Sequence, residues 1–75
     1  MKNIFAKRLS ELLKEYKLSK RRFAKEIGVS NSTVCDWSNG KVQPTAEGIY
    51  LTAEYFNESA DFLLGLEDET GAKKY

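Results

Sequence analysis

Apolar residues Phe5, Leu9, Leu12, Leu13 and Tyr16 recur at spacings of three and four, which places them on one face of a helix with a 3.6-residue period. Lys7, Arg8, Ser10, Glu11, Lys14 and Glu15 fill the other positions, so the pattern predicts an amphipathic helix over about residues 4–16. After Leu18, Ser19 offers an N-cap for a second, short helix that turns Phe23, Ala24 and Ile27 inward. Gly28 ends that helix, because glycine adopts the left-handed conformation of a helix C′ position without steric penalty. Val29 is followed by Ser30, another N-cap, and by a third helix with Val34 and Trp37 on one face, stopped by Asn39-Gly40. Pro44-Thr45 opens a fourth helix, with Thr45 as cap, Glu47 favourable in the first turn, and Ile49, Ala53 and Phe56 as its inner stripe. Gly48 costs about 1 kcal/mol in mid-helix and points to close packing there. Ser59 caps a short fifth helix bearing Phe62, Leu63 and Leu64 and ending at Gly65.

The second and third helices meet across the tight junction Ile27-Gly28-Val29-Ser30. An antiparallel hairpin does not fit so short a connection, so the two must cross steeply, which is the geometry of a helix-turn-helix. A generic bundle with short loops accounts for the apolar spacing but not for this junction.

Composition narrows the chemistry. At 75 residues the chain holds one small core and no second catalytic lobe. With 41% hydrophobic and 31% charged residues it reads as an ordinary globular domain. Histidine is absent and Cys35 is the one cysteine. That excludes a Cys/His zinc cage, a histidine-dependent triad and an intrachain disulfide, so no enzyme, metal or cofactor is expected. The apolar runs are too short for a membrane span or a signal peptide, so the expected setting is cytoplasmic. The net charge of +1 conceals a division. Residues 1–43 carry ten Lys/Arg against four Asp/Glu, and residues 44–75 carry two against seven. Such asymmetry hints at a polyanion-binding face, although solvated helix faces would also produce it.

The segment from Leu18 to Lys41, with Pro44 beyond it, resembles the Cro/cI-type (lambda-repressor-like, XRE) helix-turn-helix family. The family pattern is Leu-Ser-x-x-x-Leu-Ala-x-x-x-Gly-Val-Ser-x-x-x-Ile-x-x-Trp-x-x-Gly-x-x-x-Pro. Here it is carried by Leu18, Ser19, Phe23, Ala24, Gly28, Val29, Ser30, Val34, Trp37, Gly40 and Pro44. Ala53, Phe56, Ser59 and Leu63-Leu64-Gly65 extend it, so the resemblance covers roughly residues 4–65. It implies an all-α, compact five-helix domain over residues 1–65 and a short flexible tail over 66–75. It also implies a sequence-specific, double-stranded-DNA-binding transcriptional regulator, with the third helix in the major groove and the second across the backbone.

On that resemblance, Asn31 and Ser32 match base-reading positions, Asp36 matches a third one turn later, and Thr33 lies beside them. Asparagine can bond adenine bidentately, serine any base edge, and aspartate the cytosine amino group. Asp36 could instead pair with Lys20 or Lys41 and orient them. Ser19 and Lys20, at a helix N-terminus with free amides and a positive dipole end, suit phosphate contact, as does Arg21. Asn39 and Lys41 match backbone-contact positions of the family, and Arg8 is an expected addition, whereas Arg22 and Lys25 read as solvated side chains. Cys35 reads as a small residue of the helix face. Lysine at position 20, where the family often has glutamine, keeps a backbone contact but loses two-way hydrogen bonding.

Surplus apolar surface in the last third, at Tyr50, Tyr55, Phe62 and Leu66, suggests a homodimer interface; Tyr50 and Tyr55 could equally cover the small core. Paired subunits would set two recognition helices about 34 Å apart on an inverted-repeat operator. The favoured expectation is a repressor of prophage or mobile-element type with no small-molecule ligand and no membrane partner. The competing one is an antitoxin that binds a partner toxin and regulates its own gene through DNA.

Many members of the family carry an arginine where this chain has Leu13 and a glutamate where it has Ser38, forming a semi-buried ion pair. Both are replaced together here, which is close to neutral, whereas losing one partner would strand a buried charge. Leu13→Arg alone is therefore expected to destabilise the protein by several kcal/mol in chemical denaturation. A gain in stability would contradict the alignment.

Overall fold

Hydroxyl side chains open four of the helices in the computed structural model, which describes residues 4–66. The described residues contain α1 (Ile4–Glu15), α2 (Lys20–Ile27), α3 (Asn31–Ser38), α4 (Ala46–Phe56) and α5 (Ala60–Leu63), with no strand among them. Ser19, Ser30, Thr45 and Ser59 have extended backbone, and each accepts a hydrogen bond from the amide three residues on, at Arg22, Thr33, Gly48 and Phe62. Each satisfies one of the amides that a helix start leaves unpartnered. A left-handed residue follows each of the five helices: Lys17 at φ 52° after α1, Gly28 at φ 81° after α2, Gly40 at φ 75° after α3, Asn57 at φ 55° after α4 and Gly65 at φ 81° after α5. None of the five is long and apolar enough to cross a membrane. The tail expected over residues 66–75 lies, beyond Leu66, outside the described residues.

Every helix sends side chains into one core. Phe5, Leu9, Leu12 and Leu13 of α1 meet Phe23 and Ala24 of α2, Val34 and Trp37 of α3, Phe56 of α4 and Leu63 of α5. Phe23 stacks on Phe56 with ring centroids 5.2 Å apart, and Phe5 meets the edge of Trp37 at 5.9 Å. Such aromatic pairs contribute on the order of 0.5–1.5 kcal/mol beyond the area they bury. Ile27, Ile49 and Ala53 pack against this cluster half-buried. The innermost residue of α4 is instead Thr52, fully buried, whose hydroxyl donates to the Gly48 carbonyl at 2.8 Å. By bonding the preceding turn of its own helix, the hydroxyl enters the core without leaving a polar group unsatisfied. Tyr16, expected on the inner stripe of α1, stays largely exposed and only lays its ring against Phe56, at 5.1 Å.

Arg8 departs from the sequence reading. The helical period puts it on the outer face and the family resemblance makes it an extra phosphate contact, yet it is only 5% exposed. The cause is α5, which packs on α1 and covers that position. The Arg8 guanidinium lies 4.3 Å from the centre of the Phe62 ring, a cation–π arrangement over an apolar surface. Gly65 closes the same seam, since a Cβ there would come within 3.0 Å of Ile4. A side chain enclosed in this way is not available to a phosphate.

Gly48 has the packing role its position suggested. A Cβ at this site would lie 2.8 and 2.9 Å from Cζ2 and Cη2 of Trp37 and 3.2 Å from Cβ of Pro44. The backbone of α4 thus rests directly on the indole of α3. Gly48→Ala would gain about 1 kcal/mol in helix propensity but must displace a buried indole, at a cost of about 1–3 kcal/mol. Net destabilisation of about 1 kcal/mol is expected from urea unfolding; a more stable variant would contradict this packing.

Candidate nucleic-acid interface

The junction between α2 and α3 is a two-bond clamp. The Ala24 carbonyl accepts from the Gly28 amide at 2.9 Å and from the Val29 amide at 3.0 Å, closing α2 and redirecting the chain within two residues. Gly28 supplies the positive φ that this reversal needs, and nothing lies within 4 Å of where its Cβ would be. With Phe23 and Ala24 buried on one side of the turn and Val34 and Trp37 on the other, α3 is held in the core by its apolar edge. Its opposite edge faces outward.

On that outward edge Asn31, Ser32 and Asn39 are exposed, while Thr33, Cys35 and Asp36 are half-buried. The Asn31 amide makes no side-chain hydrogen bond among the described residues, so its donor and acceptor are both open. Ser32 and Thr33 are organised by the cap. The Ser30 hydroxyl receives the Thr33 amide at 3.2 Å and also meets Thr33 Oγ1 at 2.7 Å and Ser32 Oγ at 3.2 Å. One proton and two lone pairs are all a hydroxyl has, so these three contacts saturate Ser30. Thr33, expected beside the base readers, therefore turns its hydroxyl back to the cap. Ser32 keeps an exposed hydroxyl with one bond already made.

The Asp36 carboxylate forms an ion pair with neither Lys20 nor Lys41 among the described residues. Its backbone acts instead: the Asp36 carbonyl accepts from the Lys41 amide at 2.9 Å and from the Val42 amide at 3.4 Å. Gly40, at φ 75°, makes this fold-back possible and holds exposed Lys41 and Val42 against the end of α3. Val42, 48% exposed, has no signal in the sequence, because a lone apolar loop residue carries no pattern.

At the start of α2, Ser19 and Arg21 are exposed and Lys20 is half-buried. Arg22 Nε lies 3.5 Å from Glu26 Oε2 in an exposed pair one turn apart, which engages its charge within the helix. Ser10 of α1 reaches the Ser38 carbonyl at 3.5 Å, and the Ser38 hydroxyl donates to the Cys35 carbonyl at 3.1 Å. Leu13 at this α1–α3 seam is enclosed in the core, and Arg8 is the one buried charged residue among those described. Beside the seam, an open groove brings Lys14 and Lys17 next to Ser19 and Lys20.

The residues expected at a dimer interface do not form one uniform surface. Tyr50 stands out, 60% exposed, its hydroxyl donating to Glu54 Oε2 at 3.0 Å. That hydrogen bond and the carboxylate's charge raise the phenol above its ordinary pKa. Tyr55 lies edge-on to Phe23 and Phe56, at 5.4 and 5.1 Å, and so covers the core. Phe62 is half-buried under Arg8, and Leu66 is exposed.

Comparison with known proteins agrees with this arrangement. A family model described as "Helix-turn-helix" matches residues 9–63. The chain is 27% identical over 70 residues to YobD, an uncharacterised HTH-type transcriptional regulator of Bacillus subtilis (strain 168), covering 93% of this chain and 62% of that protein. A solved transcriptional regulator from Listeria innocua superposes with a TM-score of 0.78 at 35% identity, over 87% of this chain and 61% of that one. The chain thus spans about three-fifths of the length of each.

Since Ser30 supports both the first amides of α3 and the hydroxyls beside them, Ser30→Ala is expected to lower stability by about 1 kcal/mol. Amide hydrogen exchange should quicken at Thr33 before the core is affected. An unchanged Thr33 amide would show that the cap does not govern this end of the helix.

Proposed function

This chain belongs to the helix-turn-helix family of transcriptional regulators, and from that membership and the outward edge of α3 we propose that it binds double-stranded DNA sequence-specifically. α3 enters the major groove, whose width admits one helix and whose base edges carry a distinct donor–acceptor code. Asn31 bonds an adenine through its open amide, and Ser32 adds a hydroxyl contact beside it. Asp36, lacking a lysine partner, accepts from a cytosine amino group. Thr33 contributes by fixing Ser30 and hence the angle of the first turn. The observation that carries this reading is the exposure of Asn31 and Ser32 on a helix whose opposite edge, Val34 and Trp37, is locked in the core.

Phosphates are held on either side. Ser19, Lys20 and Arg21 engage one strand at the start of α2, and Asn39 and Lys41 engage the other edge of α3. Of the acidic residues after Pro44, Glu47 and Glu54 lie on α4 and Asp61 on α5, outside the helix pair that meets DNA. Two copies, paired through the surface that includes Tyr50 and Leu66, read an inverted repeat with half-sites about 34 Å apart. Occupation of such an operator represses by blocking a promoter, in the manner of prophage and mobile-element regulators.

Selection of bound sequences from random duplex DNA, followed by binding titrations over a range of salt, tests this. A symmetric enriched site is expected. Asn31→Ala and Ser32→Ala should each lose about 1–3 kcal/mol at that site and change which bases are preferred. Lys41→Ala should weaken all sequences alike and lower the slope of log affinity against log salt by about 0.9 for each bound subunit. An Asn31→Ala variant that selects the parent motif would remove α3 as the reader.

A further inference from the structure

Between the end of α1 and the start of α2 the surface opens into a groove of about 530 Å³, floored by Leu13 and Leu18. Lys14, Lys17 and Lys20 stand around it, with hydroxyls from Ser10 and Ser19, and no acidic residue lines it. The three lysines belong to different local structures: the last turn of α1, the left-handed residue that ends it, and the first residue of α2. They recur at every third position, but no single helix carries all three. The chain reversal at residues 16–19 draws them together, held by the Lys17 amide on the Lys14 carbonyl at 3.1 Å and the Leu18 amide on the Leu13 carbonyl at 2.9 Å.

We propose that this groove seats the sugar-phosphate backbone of the DNA strand that flanks the base pairs read by α3, so that Lys14 and Lys17 are phosphate-binding residues. The inference rests on the DNA-binding reading above and extends its footprint beyond the helix-turn-helix. Two observations select this occupant. The groove is continuous with the proposed interface: Ser19 and Lys20 form its wall, and Ser10 ties its far end to the Ser38 carbonyl, one residue before Asn39. It therefore lies between the two sets of phosphate contacts. Its chemistry also fits a phosphodiester chain, with ammonium groups and hydroxyls above a floor of two leucines, and ammonium groups neutralise phosphates without reading bases. The site is open, whereas a small-molecule pocket encloses most of its ligand.

Lys17 supplies a test that separates binding from folding. It holds a left-handed conformation in which a Cβ is disfavoured and glycine is not. Lys17→Gly is therefore expected to raise the melting temperature while weakening DNA binding, a combination that partial unfolding cannot produce. The measurements are fluorescence-anisotropy titrations of the selected duplex, at several salt concentrations, with the parent, Lys17→Gly, Lys14→Gln and the Lys14→Gln/Lys17→Gln pair. For each bound subunit, a single variant should lower the log–log salt slope by about 0.9 and the pair by about 1.8, with the selected base motif unchanged. Lys7→Gln, exposed on α1 but outside the groove, should keep the parent slope. Parent-like slopes in the pair, an equal loss in Lys7→Gln, or an altered motif would each overturn the groove assignment while leaving α3 as the reader. A parent that selects no DNA sequence would overturn the DNA-binding reading and this inference with it.

Discussion

The contact between the Trp37 indole and the backbone of α4 at Gly48 is the constraint on which the rest of this small protein turns. A helix of eight residues such as α3 is not stable alone, because the entropy lost in nucleating it exceeds what two turns of hydrogen bonds return. α3 persists because Val34 and Trp37 are buried, and Trp37 finds Phe5 of α1 on one side and the glycine of α4 on the other. A side chain at position 48 would force the indole outward and tilt the helix that carries it. The outward edge of α3 inherits its orientation from this contact, so the angle at which Asn31 and Ser32 are offered is a property of the core.

A second, local constraint refines the first. Ser30 uses its whole hydrogen-bonding capacity on one amide and two neighbouring hydroxyls at the start of α3. The tertiary packing thus orients the helix as a body, and the cap orients its first turn. The fold-back of Lys41 and Val42 onto the Asp36 carbonyl does the same at the other end. Between them lies a short helix fixed at three points with one edge free, which is what insertion into a groove requires.

Charge is distributed to match. The basic half of the chain builds α1 to α3, and the acidic half builds α4 and α5. Not every basic residue contributes to a surface field, however. Arg8 is enclosed against Phe62, and Arg22 is engaged with Glu26. Lys14, Lys17 and Lys20 are concentrated by a turn. Where the cations gather follows from which of them the fold leaves facing outward together, and a count along the chain does not reveal it.

Local features were legible in the amino-acid order because their causes are local. Ser19, Ser30, Thr45 and Ser59 cap helices through hydrogen bonds spanning three residues, Gly28 ends α2 through its own backbone freedom, and the spacings of Leu9, Leu12, Val34 and Trp37 declare their faces within a few turns. From these follow the five helices, the steep turn between α2 and α3, and the outward edge bearing Asn31 and Ser32. What depends on contacts across long separations was not legible. The helical period places Arg8 on the surface because it says nothing of α5, more than fifty residues on, that covers it. Thr52 is not marked out by the sequence, because a hydroxyl reads as polar until the carbonyl that satisfies it is known. Residue order left Asp36 a choice of Lys20 or Lys41 as a partner, and among the described residues its carboxylate pairs with neither. Periodicity and capping act over one or two turns and are written in the order of residues; burial by a distant helix exists only once the chain has closed on itself.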